Sequence, residues 1–446
     1  MEELQKFFDW LGEYVWGAPM LVLLVGTGIY LSLRLLFLQV TMLPFALKQA
    51  FSPHHDKDHE GDISHFGALM TALSATIGTG NIAGVATAVV SGGPGAVFWM
   101  WMTAFFGMAT KYAEGILAVK FRVQNEKGEM SGGPMYYIER GLGMKWLALL
   151  FALFGMLASF GIGSSVQANS VAQAIESSFS VNPWITGVVL TVFTGIVILG
   201  GIKSIAKASS LIVPFMAIVY VLGGVAIILL HLDKVIPAIE TIFRSAFGLD
   251  AVVGGAIGSA IRYGVARGVF SNEAGMGSAP IAAAAAKTDH PARQAMVSMT
   301  GTFLDTIVVC SITGVVLVIG GMYTTGTSGA ALTTQTFNEL LPGPGGWLVT
   351  FGLVFFAYST ILGWCYYGEK CASYLGGDGI MPVFRVVYVV SVLLGSGVDL
   401  GLVWAASDVF NGLMAIPNLI ALVLLAGVVV SETKDFIAKR RSGELP

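Results

Sequence analysis

Two short stretches of this chain offer chemistry that an apolar helix cannot. They are Ala75–Thr76–Ile77–Gly78–Thr79–Gly80–Asn81 and Phe270–Ser271–Asn272–Glu273–Ala274–Gly275–Met276–Gly277–Ser278. Each sits inside an apolar run long enough to cross a bilayer. Exposed backbone is tolerated at that depth only where it is buried in protein or lines a cavity. An unwound stretch releases amides and carbonyls that a helix would consume. Half-helix N-termini then favour an anion such as a carboxylate, while freed carbonyls coordinate a small cation. An amino acid zwitterion with Na⁺ needs both. Gly78, Gly80, Gly275 and Gly277 permit the backbone geometry and a close approach of ligand. Thr79, Asn81, Ser271 and Asn272 add hydroxyl and amide groups. The plain alternative is small-residue helix packing, common for paired glycines in membranes. Two such pairs, symmetric and polar-flanked, argue against it.

Further candidates surround these stretches. Glu273 is the only carboxylate in either, and an ionisable group at that depth is functional by default. It could hold the ion, orient a substrate ammonium, pair with an arginine or belong to a buried structural network. Gln167 shares a helical face with Ser164, Ser170, Gln173 and Ala174. It is a candidate substrate contact, the alternative being an interhelical hydrogen bond. The Ala357 carbonyl and Thr360 hydroxyl, three residues apart, fall on one face and could supply hard oxygen ligands to Na⁺. Trp364, one turn on, could close the site and limit substrate size, or serve as packing. Arg262, Arg267, Asp305, Asp399 and Asp408 could include an outer gate, or form static buried pairs.

The surrounding elements follow from composition. Of 446 residues 55% are hydrophobic and 11% charged, with mean hydropathy +0.77. Soluble proteins carry about 25% charged residues, so the chain reads as an all-α polytopic membrane protein without a large soluble domain. Apolar runs of about 20 residues predict about eleven helices, over 14–38, 66–90, 95–119, 146–178, 183–201, 208–230, 251–285, 294–321, 346–374, 383–403 and 406–431. The first run is too long for a signal-peptide core and lacks a basic flank, so no cleavable signal is expected. All 24 lysines and arginines except Lys6, Lys234, Arg244, Arg262 and Arg267 fall on one side of these spans. Positive charge stays in the cytoplasm, which predicts the N-terminus outside and the C-terminus inside.

With the leading helix set aside, the two interruptions fall in the first and sixth helices of the remainder. That is a five-plus-five arrangement in which the broken helices run in opposite directions, an inverted repeat. The expected organisation is an extra helix and inner loop over 1–62, repeats over 63–248 and 249–431, and a cytoplasmic tail over 432–446. The turn-rich segment Ser131–Gly132–Gly133–Pro134–Met135–Tyr136–Tyr137–Ile138–Glu139 reads best as a plain loop. His54, His55 and His59 read as a solvated loop rather than a metal site. Cys310, Cys365 and Cys371 read as small packing residues. No basic patch suggests nucleic acid.

The segments Gly78–Thr79–Gly80–Asn81–Ile82–Ala83–Gly84–Val85–Ala86, Ser131–Gly132–Gly133–Pro134–Met135–Tyr136–Tyr137 and Ser271–Asn272–Glu273–Ala274–Gly275–Met276–Gly277 resemble the hallmarks of the alanine/glycine:cation symporter family. The resemblance runs over nearly the whole chain. It implies Na⁺-coupled uptake of alanine or glycine across a prokaryotic plasma membrane, with H⁺ used by some members. It also implies the amino acid–polyamine–organocation fold, with no organic cofactor and no obligate protein partner.

A more distant similarity links Gly78–Asn81, Phe270–Ser271 and Phe355–Thr360 to the neurotransmitter:sodium symporters. It implies that the carbonyls of Ser74, Ile77 and Ala357 and the Thr360 hydroxyl hold sodium, and that the amides of Thr79 and Gly80 hold a substrate carboxylate. Ile361 and Glu273 depart from that pattern. The expected function is therefore a symporter working by alternating access. A channel would instead show a continuous polar face, and a membrane enzyme would need a nucleophile–base or metal constellation, which the sequence lacks.

Overall fold

The computed structural model describes residues 2–52, 59–248, 255–398 and 401–445. Helices α1 (Glu2–Val15) and α2 (Ala18–Arg34) meet at a 42° bend. The charged residues of α1 hide it from an apolar scan, so only α2 was expected. α3 (Leu43–Phe51) lies at the lysine- and arginine-rich end, hereafter the basic end. α4 (His65–Thr76) starts at a Ser64 hydroxyl that accepts from the Gly67 amide, a helix cap. It breaks, passes through a π-helical turn at Gly80–Gly84, and resumes as α5 (Val85–Gly92), bent by 52°.

α6 (Gly95–Lys120) returns to the basic end. There a short antiparallel hairpin, β1 (Val123–Gln124) with β2 (Met130–Ser131), leads into α7 (Pro134–Leu142). α7 corrects the expectation of a plain loop. Met135, Tyr137 and Ile138 are buried, so the glycines before it bring a packed helix back under the protein. α8 (Lys145–Ala158) and α9 (Val166–Phe179) form one long span joined by a π-helical turn at Ser159–Ser165. α10 (Pro183–Ile198) and α11 (Gly201–Leu230) follow. On α11, Leu211, Phe215, Ile218, Leu222 and Leu229 are exposed along one face. That helical spacing marks a lipid-facing stripe.

α12 (Leu232–Ala246) is a further amphipathic helix among residues expected as a connection. α13 (Gly255–Asn272) ends at the second interruption, and α14 (Pro280–Ala283) closes it. α15 (Pro291–Thr302) and α16 (Ser311–Gly320) are one span with a π-helical turn at Phe303–Cys310. α17 (Gly329–Leu340) occupies the loop away from the basic end. α18 (Pro344–Gly376) is central, and α19 (Met381–Gly397) peripheral. α20 (Gly401–Leu424) and α21 (Ala426–Ser442) end the described chain. The stretch expected as a tail from 432 is mostly the second half of α21.

Every one of the expected runs coincides with a helix. Six helices, or eight with the two bent pairs, are long and apolar enough to cross a membrane among the described residues. The remaining three runs have physical reasons to fall short. α10 is a 16-residue helix. α6 carries Lys111 and Glu114 in its interior, and α13 carries Arg262 and Arg267. The protein is thus an all-α, multi-pass membrane protein, a five-plus-five inverted repeat with two broken helices and a leading helical segment.

Candidate functional site

The first break is made by one side chain. Asn81 Oδ1 accepts from the Gly78 amide at 2.9 Å. That amide would otherwise close a helical bond to the Ser74 carbonyl, so α4 stops with its last regular bond from Ile77 to Leu73. The carbonyl of Ser74 is released, and Thr79 and Gly80 begin a new half-helix with N–H groups that helical bonding does not consume. Thr333 on α17 donates to the Ile82 carbonyl at 3.0 Å, covering an acceptor in the π turn.

The second break has the same logic. Asn272 Oδ1 accepts from the Ala274 amide at 2.9 Å. Glu273 adopts a left-handed backbone, φ 55°, and Gly275 and Gly277 follow at φ 88° and 82°. A side chain at Gly277 would meet Pro134, Phe151 and Asn418 within 3.0 Å, so glycine is required there. Glu114 on α6 holds the unwound strand: one of its oxygens accepts from the amides of Gly275 and Gly277, each at 3.1 Å, and from Asn418 at 2.7 Å. Lys111, one turn earlier, donates to the Asn272 carbonyl at 2.9 Å. Both charged residues are buried. They hold the second break, and the sequence reading missed them; two charges inside an otherwise apolar span were the available signal.

The two breaks are tied together by Asp305, in the π-helical turn between α15 and α16. Its carboxylate accepts from Asn81 Nδ2 at 2.7 Å, Ser271 Oγ at 2.8 Å and Thr306 Oγ1 at 2.7 Å. Asn272 donates to Thr306 at 3.1 Å. This changes the expected place of five candidates. Asp305 is no part of an outer gate; it is fully buried between the breaks. Asn81, Ser271 and Asn272 were expected at the substrate, but their side chains are engaged by this network and by the backbone. Gly275 is likewise turned away, against Leu24 and Leu419. Cys310, expected as packing, lies within 3.3 Å of Asn81 and 3.2 Å of Ser271.

What does converge is a small cavity of about 20 Å³ between the breaks, lined by Thr76, Gly78, Thr79, Gly80, Phe270, Glu273, Gln167, Thr360, Trp364 and Asn411. Thr79, Gly80, Gln167, Phe270, Glu273, Thr360 and Trp364 were candidates from sequence; Asn411, isolated in α20, was not. Gln167 Nε2 is spent on the Ile162 carbonyl at 3.0 Å. Its Oε1, the Asn411 Oδ1 and the Thr79 Oγ1 are buried without a protein partner. Glu273 Oε2 accepts from Ser278 at 2.6 Å. Trp364 packs on Gly163 so tightly that a methyl group there would lie 2.8 Å from its Cγ, and it meets the Tyr367 ring edge-on at 5.7 Å.

On the α18 side, Thr360 Oγ1 lies 3.5 Å from the Ile77 carbonyl and 2.9 Å from that of Phe356. Ser74 lies where α4 presses against Gly363, and Ala357, one turn before Thr360, is buried on the same helix. Thr360 therefore faces the freed end of α4.

The cavity is unequally covered. Away from the basic end, a vestibule of about 520 Å³ reaches Thr79, walled by hydroxyl and amide side chains that include Ser170, Gln173, Ser177 and Gln335. Arg267 stacks on the Phe270 ring at 5.5 Å and is near enough to Asp408 to interact electrostatically. No salt bridge joins them among the described residues. Arg262 lies exposed over Tyr263, outside this group, and Asp399 lies outside the described residues.

Towards the basic end the path is plugged. Arg122 donates to the carbonyls of Ala284, Ala286 and Glu60 at 2.7–3.1 Å, and burial lowers its pKa. Asp62 accepts from the Met130 amide at 2.8 Å, and burial raises its pKa. Lys370 reaches Glu129 at 3.3 Å and Ser131 at 3.2 Å, and Arg385 grips Glu369 through two bonds of 2.6 and 2.8 Å. Tyr137 on α7 donates to Asn418. His59 is exposed, while His54 and His55 lie outside the described residues. No cluster fit to hold a metal through His, Cys, Asp or Glu occurs among the described residues.

Two antiparallel helices broken at mid-span around a polar cavity, inside a shell of lipid-facing helices, define a secondary transporter built on an inverted repeat. The family model described as the sodium:alanine symporter family matches residues 1–446. The sodium/alanine symporter AgcS of Methanococcus maripaludis is 62% identical over 440 residues, covering 97% of each chain. A putative sodium/proton-dependent alanine carrier, YrbD of Bacillus subtilis, is 40% identical, covering 99% of this chain and 94% of its own. Among solved structures, MhsT in complex with L-phenylalanine superposes with TM-score 0.59 at 14% identity, covering 83% of this chain and 98% of the other; that likeness concerns the fold. The chain belongs to the sodium:alanine symporter family.

Proposed function

We propose that the protein couples inward Na⁺ flux to uptake of alanine or glycine across a prokaryotic plasma membrane by alternating access. One observation carries this reading: the buried, unpartnered oxygens of Gln167, Asn411 and Thr79 and the Glu273 carboxyl line one cavity together with the half-helix N-terminus at Thr79 and Gly80. A carboxylate belongs at the amides of Thr79 and Gly80. An ammonium belongs at the amide oxygens and Glu273, because buried acceptors left unpaired cost about 1–3 kcal/mol each. Trp364, held by Gly163, bounds the space for the substrate side chain, and at about 20 Å³ the cavity must widen to admit even alanine. The name of the AgcS relative supports alanine.

Na⁺ is assigned to the carbonyls of Ser74, Ile77 and Ala357 and the hydroxyl of Thr360. The Thr360 hydroxyl and Ile77 carbonyl already face each other, and the Ser74 carbonyl is the one that Asn81 releases. With the basic end cytoplasmic, the N-terminus lies outside, the vestibule opens outward and the plug closes the inner path. Arg267 and Asp408 are then a gate pair in its open arrangement. The repeats span 63–248 and 249–431, and alternating access comes from one helix bundle rocking against the other around the central site. Coupling to H⁺ is the second reading, favoured by Glu273, an ionisable group in the cavity wall.

Uptake of labelled alanine into proteoliposomes distinguishes these. Accumulation with an inward Na⁺ gradient and none with a pH gradient supports the first reading, and the reverse supports the second. No accumulation under either gradient contradicts both.

A further inference from the structure

One sizeable cleft of the described protein has no part in the transport path. It has a volume of about 640 Å³ and lies at the basic end, between the end of α2 and the helix α21. Its walls are largely apolar and include Leu36, which is 82% exposed, and Ile437. Its rim is cationic: Arg34, Lys434, Arg440 and Arg441. The neighbouring acids do not neutralise that rim. Glu432 is taken by Lys120 at 2.6 Å, and Asp435 by Lys439 at 2.8 Å and His290 at 3.0 Å. Arg440 lies over the Phe45 ring at 3.7 Å, and Arg34 donates to the Tyr30 hydroxyl at 2.7 Å. No salt bridge to Arg34, Lys434 or Arg441 occurs among the described residues. Arg34 ends a membrane-spanning helix, so the rim sits at the depth of lipid headgroups.

We propose that this cleft binds an anionic phospholipid. The phosphate lies among Arg34, Lys434 and Arg441, and an acyl chain runs along Leu36 and Ile437. A free anion would be satisfied by the charges but would leave the apolar wall exposed. A zwitterionic lipid would cover the wall but would bring a choline cation to a cationic rim. Only a lipid of net negative charge matches both, and basic sites between membrane helices suit such headgroups. The lipid would pin α21 to α2 without touching the cavity between the broken helices.

The test is native mass spectrometry of the full-length protein with dioleoyl phosphatidylglycerol, dioleoyl phosphatidylcholine or sodium phosphate. The expected result is about tenfold greater retention of phosphatidylglycerol than of phosphatidylcholine, undisturbed by millimolar phosphate. R34Q/K434Q/R441Q should abolish that preference. K127Q/R140Q/K207Q, which removes equal charge from exposed positions at the same end, should keep it. Should the triple variant not fold, the exposed single changes Lys434→Gln and Arg441→Gln should each lower retention about threefold. Equal retention of both lipids, displacement by phosphate, an unchanged preference in the cleft variants, or an equal loss in the charge-matched control would each overturn the assignment.

Discussion

Asn81 and Asp305 are joined by a 2.7 Å hydrogen bond between residues 224 positions apart. Through it the first broken helix and the second, which reaches the same carboxylate by way of Ser271, share one buried anchor. Asn81 also ends α4 by capping Gly78, so one side chain both makes the break and fixes it to its counterpart. The contact holds the two unwound segments in one register.

The anchor can be measured as a coupling energy. Asp305→Ala strands three buried donors and should lower stability by about 2–4 kcal/mol. A double-mutant cycle of Asn81→Ala and Asp305→Ala, followed by denaturant or thermal unfolding, should give an interaction energy of about 1–3 kcal/mol. Additive losses would mean that the two breaks are held independently.

The proposed limit on substrate size rests on the contact between Trp364 on α18 and Gly163 in the π turn before α9. Trp364→Leu should open the cavity, admitting a larger neutral amino acid such as methionine while weakening alanine binding about tenfold. Gly163→Ala drives a methyl group into the indole and should instead cost about 1–3 kcal/mol of stability and slow alanine uptake. Competition of unlabelled amino acids against labelled alanine reads out both. An unchanged competition profile in Trp364→Leu would remove the tryptophan from the selectivity argument.

The plug at the basic end has a pH signature. Burial raises the Asp62 pKa, so the folded state resists its ionisation, and this resistance costs stability as pH climbs above the ordinary carboxylate range. Stability tied to this group is therefore full at acidic pH and lost towards neutral pH. Asp62→Asn keeps an acceptor for the Met130 amide without the charge. Its unfolding temperature should exceed that of the parent near neutral pH and converge with it under acid conditions. A variant less stable at neutral pH would show instead that attraction from Lys370 outweighs the burial.

Much of this was legible in the residues. The interruptions at 75–81 and 270–278 violate hydrophobic patterning strongly enough to be seen without coordinates, and each apolar run became a helix. Charged amphipathic helices escaped, because α1, α12 and α17 bury one face only and carry no continuous apolar run. The site was legible in its glycines, in Thr360 and Trp364, one turn apart on α18, and in Gln167 on the polar face of α9. Which polar side chains face the cavity was not. Asn81 and Ser271 turn towards Asp305 and Asn272 towards Thr306, partners that only the packing of the α15–α16 span brings near. Glu114 and Lys111 were visible as charges in a span, but their grip on the second break depends on how α6 crosses it. Asn411 has no local pattern at all.

The central claim is that one small cavity holds alanine while the freed end of α4, with Thr360, holds Na⁺. Equilibrium binding of labelled alanine to the purified protein, titrated with Na⁺ at fixed ionic strength, tests it most directly. Linkage requires that Na⁺ tighten alanine binding by the same factor as alanine tightens Na⁺ binding. We expect that factor to be about tenfold or more, and Thr360→Val, which removes one hydroxyl ligand at nearly constant shape, to raise the Na⁺ requirement about tenfold. Alanine affinity independent of Na⁺, or a Na⁺ dependence unchanged in Thr360→Val, would contradict the account.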